Sequence, residues 1–165
     1  MSDTAVHQVA LGFREVMARV CTPVAVVTAF DGQRPHGTTV SAFTSLSMGP
    51  PMILVSLDRG SDLLAIIRRT GAFGLNVLAH DQADVALRFA RKGAEKFDGV
   101  DWSASARLPR LGGASGWLAC TTETLVDGGD HVVALGTVIE TGVTPAAPLT
   151  YHDRVFGTHR AFEVA

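Results

Sequence analysis

The stretch TPVAVVTAFDGQRPHGTTVSAF, residues 22–43, decides the fold. Its valine-rich first part predicts a buried strand over 23–30, because β-branched residues favour extended backbone. Asp31-Gly32 is a turn signal, so residues 36–46 are expected to return as the second strand of a hairpin. The run Thr38–Ala42 offers backbone amides and hydroxyls without bulk. Such a strand can approach a flat, phosphorylated ligand closely, which favours a cofactor cradle over a catalytic triad.

Outward from this hairpin, the sequence predicts a mainly β protein with flanking helices. Apolar residues recur at three- and four-residue steps over 6–20, which is typical of an amphipathic helix. Residues 93–116 are expected to be irregular. The remaining predicted elements are helices at 62–70, where Ser61 is the N-cap candidate, and 83–91, with Asp81 as N-cap candidate, and strands at 52–57, 72–78, 118–126, 131–141 and 150–156. About seven strands come in adjacent pairs without βαβ alternation, so we expect an antiparallel small barrel.

Composition limits the class of protein. The 165 residues suit a single domain, 1–165, with a sizeable core. Hydrophobic residues make up 47% and charged residues 18%, which predicts that a second subunit covers some apolar surface. The net charge of −2 gives no global nucleic-acid or membrane footprint. Cys21 and Cys120 lie far apart in the sequence, so neither a redox motif nor a zinc site is implied.

Several common functional signatures are absent from the sequence. It contains no GxGxxG, GxxxxGK[ST], HExxH or GxSxG motif, and its six histidines are scattered. We therefore expect no bound metal. No apolar run approaches the roughly 20 residues of a membrane span, and no signal peptide is visible. A cytoplasmic location is the expectation.

The basic segment RFARKGAEKF, residues 88–97, has two interpretations. Its positive charges can complement the dipole of a helix C-terminus, with Gly93 ending the helix. The same charges can form a cationic clamp for a phosphate group. The two roles are compatible, and the sequence alone does not choose between them.

The segment GGDH, residues 128–131, opens an apolar strand and also allows two interpretations. It can be a hairpin turn followed by an exposed histidine. Alternatively, His131 can present its imidazole to the cradle, where it would hydrogen-bond a substrate carboxamide or titrate near neutral pH.

In their order and spacing, these segments resemble the short-chain flavin reductase family, over roughly residues 13–162. The family includes reductase components of two-component flavin monooxygenases. The resemblance implies a split β-barrel of the FMN-binding type, a homodimer and a flavin at the subunit boundary. The matching pieces are TPVAVVT (22–28), GTTVSAF (37–43), Pro50-Pro51, Ser61, FGLNVL (73–78), Phe89 with Lys92 and Lys96, GDH (129–131), and PLTY (148–151) with Arg154.

The resemblance also implies roles for individual residues. Thr39, Val40, Ser41 and Ala42 would lie against the isoalloxazine ring. The other cofactor-side residues are Ser56, Leu57 and Asp58 at the ring's other edge, Ser61 towards the phosphate, and Lys92, Lys96 and Phe89 over the ribityl phosphate or the adenine end. His131, Tyr151 and Arg154 would lie on the nicotinamide side, with His131 as the catalytic candidate. Phe156 stands where the family often has tyrosine, so a hydroxyl contact is lost there.

Three functions are compared at this stage. The first is an NAD(P)H:flavin oxidoreductase that reduces FMN or FAD with NADH or NADPH and supplies a partner monooxygenase. The family's hydride transfer requires mainly that two rings be positioned face to face, which explains the missing triad. The second is a non-enzymatic flavin-binding barrel, which would not need His131. The third, an oxidase of a phosphorylated amine such as pyridoxamine phosphate, is disfavoured by the sparse basic residues.

Overall fold

The computed structural model describes residues 3–93 and 95–162, except for the side chain of Asp3. The ends of the predicted domain 1–165 and Ala94 of the basic segment lie outside the described residues. The helices are α1 (Asp3–Ala18), α2 (Asp62–Thr70) and α3 (Ala83–Ala90). The strands are β1 (Thr22–Pro23), β2 (Ala25–Asp31), β3 (Arg34–Val40), β4 (Phe43–Met48), β5 (Pro51–Asp58), β6 (Ala72–Val77), β7 (Trp102–Ser105), β8 (Leu108–Leu111), β9 (Gly116–Gly128), β10 (His131–Val143), β11 (Leu149–His152) and β12 (Val155–Thr158).

A seven-stranded antiparallel sheet forms the body, in the order β3-β2-β6-β9-β10-β5-β4. Its two edges, β3 and β4, follow each other in the chain and are joined only by Ser41-Ala42. The sheet therefore curls until its edges meet, and the barrel is split at that link. The mainly β, split-barrel prediction is confirmed. Two further sheets, β1-β11-β12 and β7-β8, lie outside the main one.

Strand β2 is buried on both faces, and its sequence is accordingly almost entirely apolar, apart from the buried Thr28 and the exposed Asp31 at its end. Ala25, Val27 and Ala29 face a core shared with the apolar side of α2. Val26 faces a second core with Phe89 of α3 and Phe97. The apolar surface buried in these two cores makes the main contribution to the stability of the fold. Each Å² of it contributes roughly 25 cal/mol. Strand β2, packed on both faces, thus anchors its hairpin partner β3 along its whole length.

The structure differs from the sequence prediction at three turns. The predicted strand 36–46 is interrupted at Ser41-Ala42 and becomes β3 and β4. The predicted strand 150–156 is a hairpin that turns at Asp153-Arg154, where φ is +49° and +64°. Within the segment expected to be irregular, β7 and β8 form a hairpin that turns at Ala106-Arg107, with φ of +47° and +59°. Neither turn contains the glycine or asparagine that normally marks such backbone.

Buried polar contacts explain the hairpin that the sequence did not reveal. Asn76 is fully buried, and its Oδ1 accepts the backbone N–H of Leu111 at 2.7 Å. Thr28 donates its hydroxyl to the Pro109 carbonyl at 2.6 Å. Strand β8 is therefore held by side chains distant in sequence, so a local pattern could not have predicted it.

The predicted helix starts are partly corrected. Ser61 is the N-cap of α2, as predicted, without a side-chain capping hydrogen bond. The N-cap of α3 is Gln82, one residue after the predicted Asp81. Gln82 closes the preceding loop instead: its Oε1 accepts the Ala79 N–H at 3.0 Å, and its Nε2 donates to the Gly112 carbonyl at 2.8 Å. Among the described residues, no helix combines the length and apolar character needed to cross a bilayer.

Candidate active site

A small cleft opens where the barrel is split. Its volume is about 270 Å³, and its lining consists of residues 38–42, residues 56–58, Ser61 and His131. We call residues 38–42 the β3 wall, and residues 56–58 together with His131 the His131 wall. Nine predicted site residues from three separate chain segments meet here, because β3, β5 and β10 converge at the split.

The β3 wall is supported from behind by α3. The hydroxyl of Thr39 donates to the Ala86 carbonyl of α3 at 2.6 Å. Just before the wall, a Cβ added to Gly37 would lie 2.8 Å from the ring of Phe89, so only glycine permits this close approach. Because the hydroxyl of Thr39 is bonded to α3, its proton is not available to a ligand in the cleft. The exposed part of the wall consists of the small residues Ser41 and Ala42.

The His131 wall is closed onto the β3 wall by a main-chain contact. The N–H of Ser56 donates to the Ala42 carbonyl at 2.9 Å. The side chain of Leu57 is packed in the core at 2% exposure, so this residue offers mainly its backbone to the cleft. Antiparallel pairing places His131 opposite Asp58, which brings the imidazole to the cleft.

Asp130 orients the imidazole of His131. The Nδ1 atom lies 2.7 Å from Asp130 Oδ1. This hydrogen bond holds the pKa of the Asp130 carboxyl below its usual value. Because a carboxylate accepts only, the Nδ1 atom carries the proton, and Nε2 is left as the nitrogen available to a ligand.

A larger cleft of about 520 Å³ adjoins the small one through Thr38, Asp58 and Ser61. The rest of its lining comes from residues 35–37, Gly60, Asp62, Leu63, residues 90–93, Lys96 and Phe97. Its lining carries the basic side chains of Arg91, Lys92 and Lys96, which can bind a phosphate group, together with the carboxylates of Asp58 and Asp62.

Lys96 is anchored at the rim of this larger cleft. Its Nζ donates to the carbonyls of Gly37 at 3.1 Å and of Phe89 at 3.0 Å. Burial lowers the pKa of Lys96 from its usual value. Of the three ammonium donors, one remains for a ligand. Burial, together with the nearby charge of Arg34, also lowers the pKa of His36 in the same cleft.

Three predicted site residues do not line either cleft. Phe89 is fully buried and packs edge-on against Phe97, at a centroid distance of 4.8 Å. Its position supports the floor under Gly37 rather than a ligand. Tyr151 lies on β11 and packs against Phe156, at 5.1 Å between centroids. Arg154 lies in the β11–β12 turn, where it pairs with Glu15 of α1 at 3.0 Å.

Sequence reasoning missed several lining residues of the larger cleft, among them His36, Gly60 and Asp62. His36 carried a signal, since it precedes the Gly-Thr-Thr run in the same strand. Gly60 and Asp62 flank the predicted Ser61, but only the packing of α2 beside β3 reveals that they face the cleft. Within the described residues, no group of three or more His, Cys, Asp or Glu side chains is arranged to hold a metal ion.

Comparison with known proteins gives one consistent family. The model of the flavin reductase like domain matches residues 17–160. The actinorhodin polyketide dimerase of Streptomyces coelicolor is 42% identical over 146 residues, which cover 87% of this chain and 82% of that protein. The reductase component of a 4-nitrophenol 4-monooxygenase/4-nitrocatechol 2-monooxygenase from Rhodococcus opacus is 37% identical over 145 residues, which cover 88% of this chain and 78% of that protein.

Among solved structures, the NADH:FAD oxidoreductase SgcE6 of Streptomyces globisporus C-1027 is similar throughout. It superimposes with a TM-score of 0.86 at 30% identity, covering 92% of this chain and 94% of that one.

Proposed function

Because this chain belongs to the flavin reductase like family, we propose that it transfers a hydride from reduced nicotinamide to flavin at the small cleft. The predicted class, an NAD(P)H-dependent flavin reductase using FMN or FAD, is confirmed by the relatives and structural neighbours. The observation that carries the assignment to this site is the meeting of the two walls at the split of the barrel.

The residues of the small cleft fit a flavin ring. The β3 wall exposes small side chains and main chain at Ser41 and Ala42, so a flat ring can approach closely. A flavin held by these residues would supply the hydride-accepting ring, and the role of the protein's own residues would be to position the two reacting rings. Such a reaction does not require an acid–base triad, and no triad motif occurs in the sequence.

The larger cleft is assigned to the phosphate end of the flavin. Lys92 and Lys96 supply positive charge, and Ser61 lies at the border between the two clefts. The remaining donor of Lys96 can meet a phosphate oxygen while its other two donors hold the Gly37 and Phe89 carbonyls. Charge-assisted hydrogen bonds of this kind are shorter and stronger than neutral ones.

His131 is proposed to act on the nicotinamide side. With Nδ1 turned to Asp130, the Nε2 atom is available to hydrogen-bond the carboxamide of the incoming nicotinamide. The roles of Tyr151 and Arg154 beside the nicotinamide stay predictions. Neither lines the small or the larger cleft of its own chain, so we infer that such a contact would come from a second copy.

A homodimer is part of the proposal, and α1 supports it. The apolar side chains of α1 are largely exposed, with Val9 at 62% and Phe13 at 65%. The helix is tied to the body near its C-terminus, where the Asp153 N–H donates to the Ala18 carbonyl at 2.7 Å. A contiguous apolar face of this kind is typical of a protein–protein contact.

Light scattering tests the dimer. The wild-type chain is expected at twice its monomer mass, and Phe13→Asp is expected to shift it to the monomer. Val126→Asp is the control, since Val126 is 46% exposed but lies outside α1. A monomeric wild type would contradict the proposal.

We also infer that the reduced flavin is passed to a separate monooxygenase. The support is the relative from Rhodococcus opacus, which is named as a reductase component of a monooxygenase. A cytoplasmic location is inferred from the need for reduced nicotinamide, an intracellular metabolite. The single domain over 1–165 stays a prediction.

Consumption of NADH on addition of free FMN or FAD tests the reductase function. We expect oxidation of nicotinamide that depends on flavin, with turnover well above one per protein chain. The alternative, a flavin-binding barrel without activity, predicts tightly retained flavin and no turnover. Four assays, combining each flavin with NADH and NADPH, also identify the preferred pair.

A further inference from the structure

Arg59 lies between β5 and α2 and makes four contacts with the turn that carries His131. Its backbone N–H donates to the Asp130 carbonyl at 3.0 Å. Its Nη2 atom donates to the carbonyls of Gly129 at 3.1 Å and of His131 at 3.5 Å. Its Nη1 atom donates to Asp127 Oδ1 at 2.9 Å. One arginine thus contacts nearly every residue of the β9–β10 turn.

The turn projects into solvent. The side chains of Asp127 and Asp130 are 77% and 92% exposed. Gly129 adopts a φ of +67°, and a Cβ added there would meet nothing within 4 Å. The strand pairing of His131 with Gly128 and Asp58 fixes its backbone, and the Arg59 contacts add a restraint on the turn residues beside it. A planar guanidinium is suited to the task, because its donors are fixed in one fork.

The position of the His131 ring depends on this turn. Its main-chain carbonyl accepts from Arg59, and its Nδ1 atom is bonded to Asp130, whose carbonyl accepts from the Arg59 backbone. We propose that Arg59 is a positioning residue for His131: it holds the β9–β10 turn so that the imidazole stands at the small cleft in one orientation. The kinetic part of this inference rests on the proposed reductase function.

The kinetic test is a double-mutant cycle. Arg59→Ala is expected to lower kcat/KM for NADH by roughly fivefold to tenfold, since small displacements of a positioning group are costly. The flavin Kd is expected to stay within about twofold, because Arg59 does not line either cleft. In the His131→Ala background, Arg59→Ala is expected to cause no further loss. Equal losses in both backgrounds would overturn the proposal.

Arg69→Ala is the matched control. Arg69 forms a comparable exposed ion pair, with Asp31 at 2.6 Å and a side chain that is 57% exposed, against 44% for Arg59. It lies outside both clefts, and kcat/KM is expected to equal that of the wild type. A loss in Arg69→Ala as large as that in Arg59→Ala would mean a general effect of removing a surface ion pair.

A spectroscopic test does not need catalysis. At a pH where the ring is neutral, ¹⁵N NMR reports which nitrogen of His131 carries the proton, with His131→Gln identifying the signal. We expect the Nδ1-protonated form in the wild type and in Arg69→Ala, and a shift towards the Nε2-protonated form in Arg59→Ala. Unchanged ring shifts in Arg59→Ala would overturn the positioning role. If the wild type shows the expected ring shifts without NADH turnover, the reductase function fails and the positioning role stands.

Discussion

The two walls of the small cleft are held in different ways. Behind the β3 wall lies packed protein: Thr39 is bonded to α3, and Gly37 rests on the fully buried Phe89. The His131 wall ends in an exposed turn held by Arg59 and Asp130 through polar contacts. Packed interiors resist displacement, whereas exposed ion pairs contribute little to stability. Changes at the β3 wall should therefore affect stability and flavin affinity, and a change at His131, the exposed end of the other wall, should affect turnover.

The largest effect is expected from Gly37→Ala. The added Cβ would lie 2.8 Å from the Phe89 ring and 3.2 Å from Val26, so β3 must move away from α3. We expect a loss of about 3 kcal/mol in the free energy of unfolding, at the upper end for overpacking, because the ring cannot yield. Flavin affinity should fall with it. Urea denaturation and flavin titration measure both.

Gly116→Ala is the control for this substitution. Gly116 also lies in a paired strand, but its added Cβ would meet Val77 at an ordinary 3.5 Å. Equal destabilisation by the two substitutions would mean that the contact of Gly37 with Phe89 does not support the wall.

The next effect is expected at the opposite wall, from His131→Ala. Loss of the hydrogen bond to nicotinamide should lower kcat/KM for NADH by about tenfold, which corresponds to one good hydrogen bond. The flavin Kd and the free energy of unfolding should change little. Stopped-flow reduction and flavin titration separate the two quantities. A weakened flavin Kd with normal reduction would reverse the roles of the two walls.

A smaller effect is expected from Thr39→Val, which keeps the shape of the side chain but removes its hydroxyl. The Ala86 carbonyl would lose the donor that now lies 2.6 Å away. We expect a loss of about 1 kcal/mol in the free energy of unfolding. Thr44→Val, on the exposed edge strand β4, serves as the control. We expect Thr39→Val to be clearly less stable than Thr44→Val. Equal free energies of unfolding would mean that the hydrogen bond to α3 does not support the β3 wall.

The smallest effect concerns His36, beside the β3 wall. Burial and Arg34 lower the pKa of His36, and Lys96 adds to this, while Asp31 and Asp62 oppose it. The unfolded chain therefore binds the proton first as the pH falls below about 6.5, and stability declines from there towards the lower pKa of the folded state.

Replacing His36 tests this dependence. His36→Gln should flatten the decline in stability between about pH 7 and pH 5.5. Thermal unfolding over that range provides the measurement, with the exposed His152→Gln as the control. A steeper decline in the His36→Gln variant would contradict the sign of the shift.

Much of the cleft lining could be predicted from sequence, but by two routes. The small and hydroxyl-bearing residues of the run 38–42 indicate a cradle by themselves, whereas Ser56, Leu57 and Asp58 follow from the family resemblance. The β7–β8 hairpin could not be predicted, since Asn76 and Thr28 hold it from distant strands. Phe89 was recognised as a motif residue, but its burial follows from the packing of α3 under Gly37.

Of the residues predicted for the nicotinamide side, only His131 lines one of the two clefts, and the roles of Tyr151 and Arg154 stay predictions. Tyr151 and Arg154 were grouped with His131 by resemblance alone, whereas a two-residue turn at Asp153-Arg154 directs Arg154 to Glu15 of α1. That turn contains no glycine or asparagine, and Asp153 is its one residue of a type enriched at positive φ. Arg59 belongs to no sequence motif. Its contact with the β9–β10 turn is visible only in the structure, where the two neighbouring loops meet.

The most direct test of the central claim is a crystal structure of the chain with FMN. The account predicts the flavin ring in the small cleft, with one edge on the main chain of residues 39–42, its other edge towards residues 56–58, and its phosphate near Lys92 and Lys96. A ring bound elsewhere, or a cleft filled by the protein's own side chains, would contradict it.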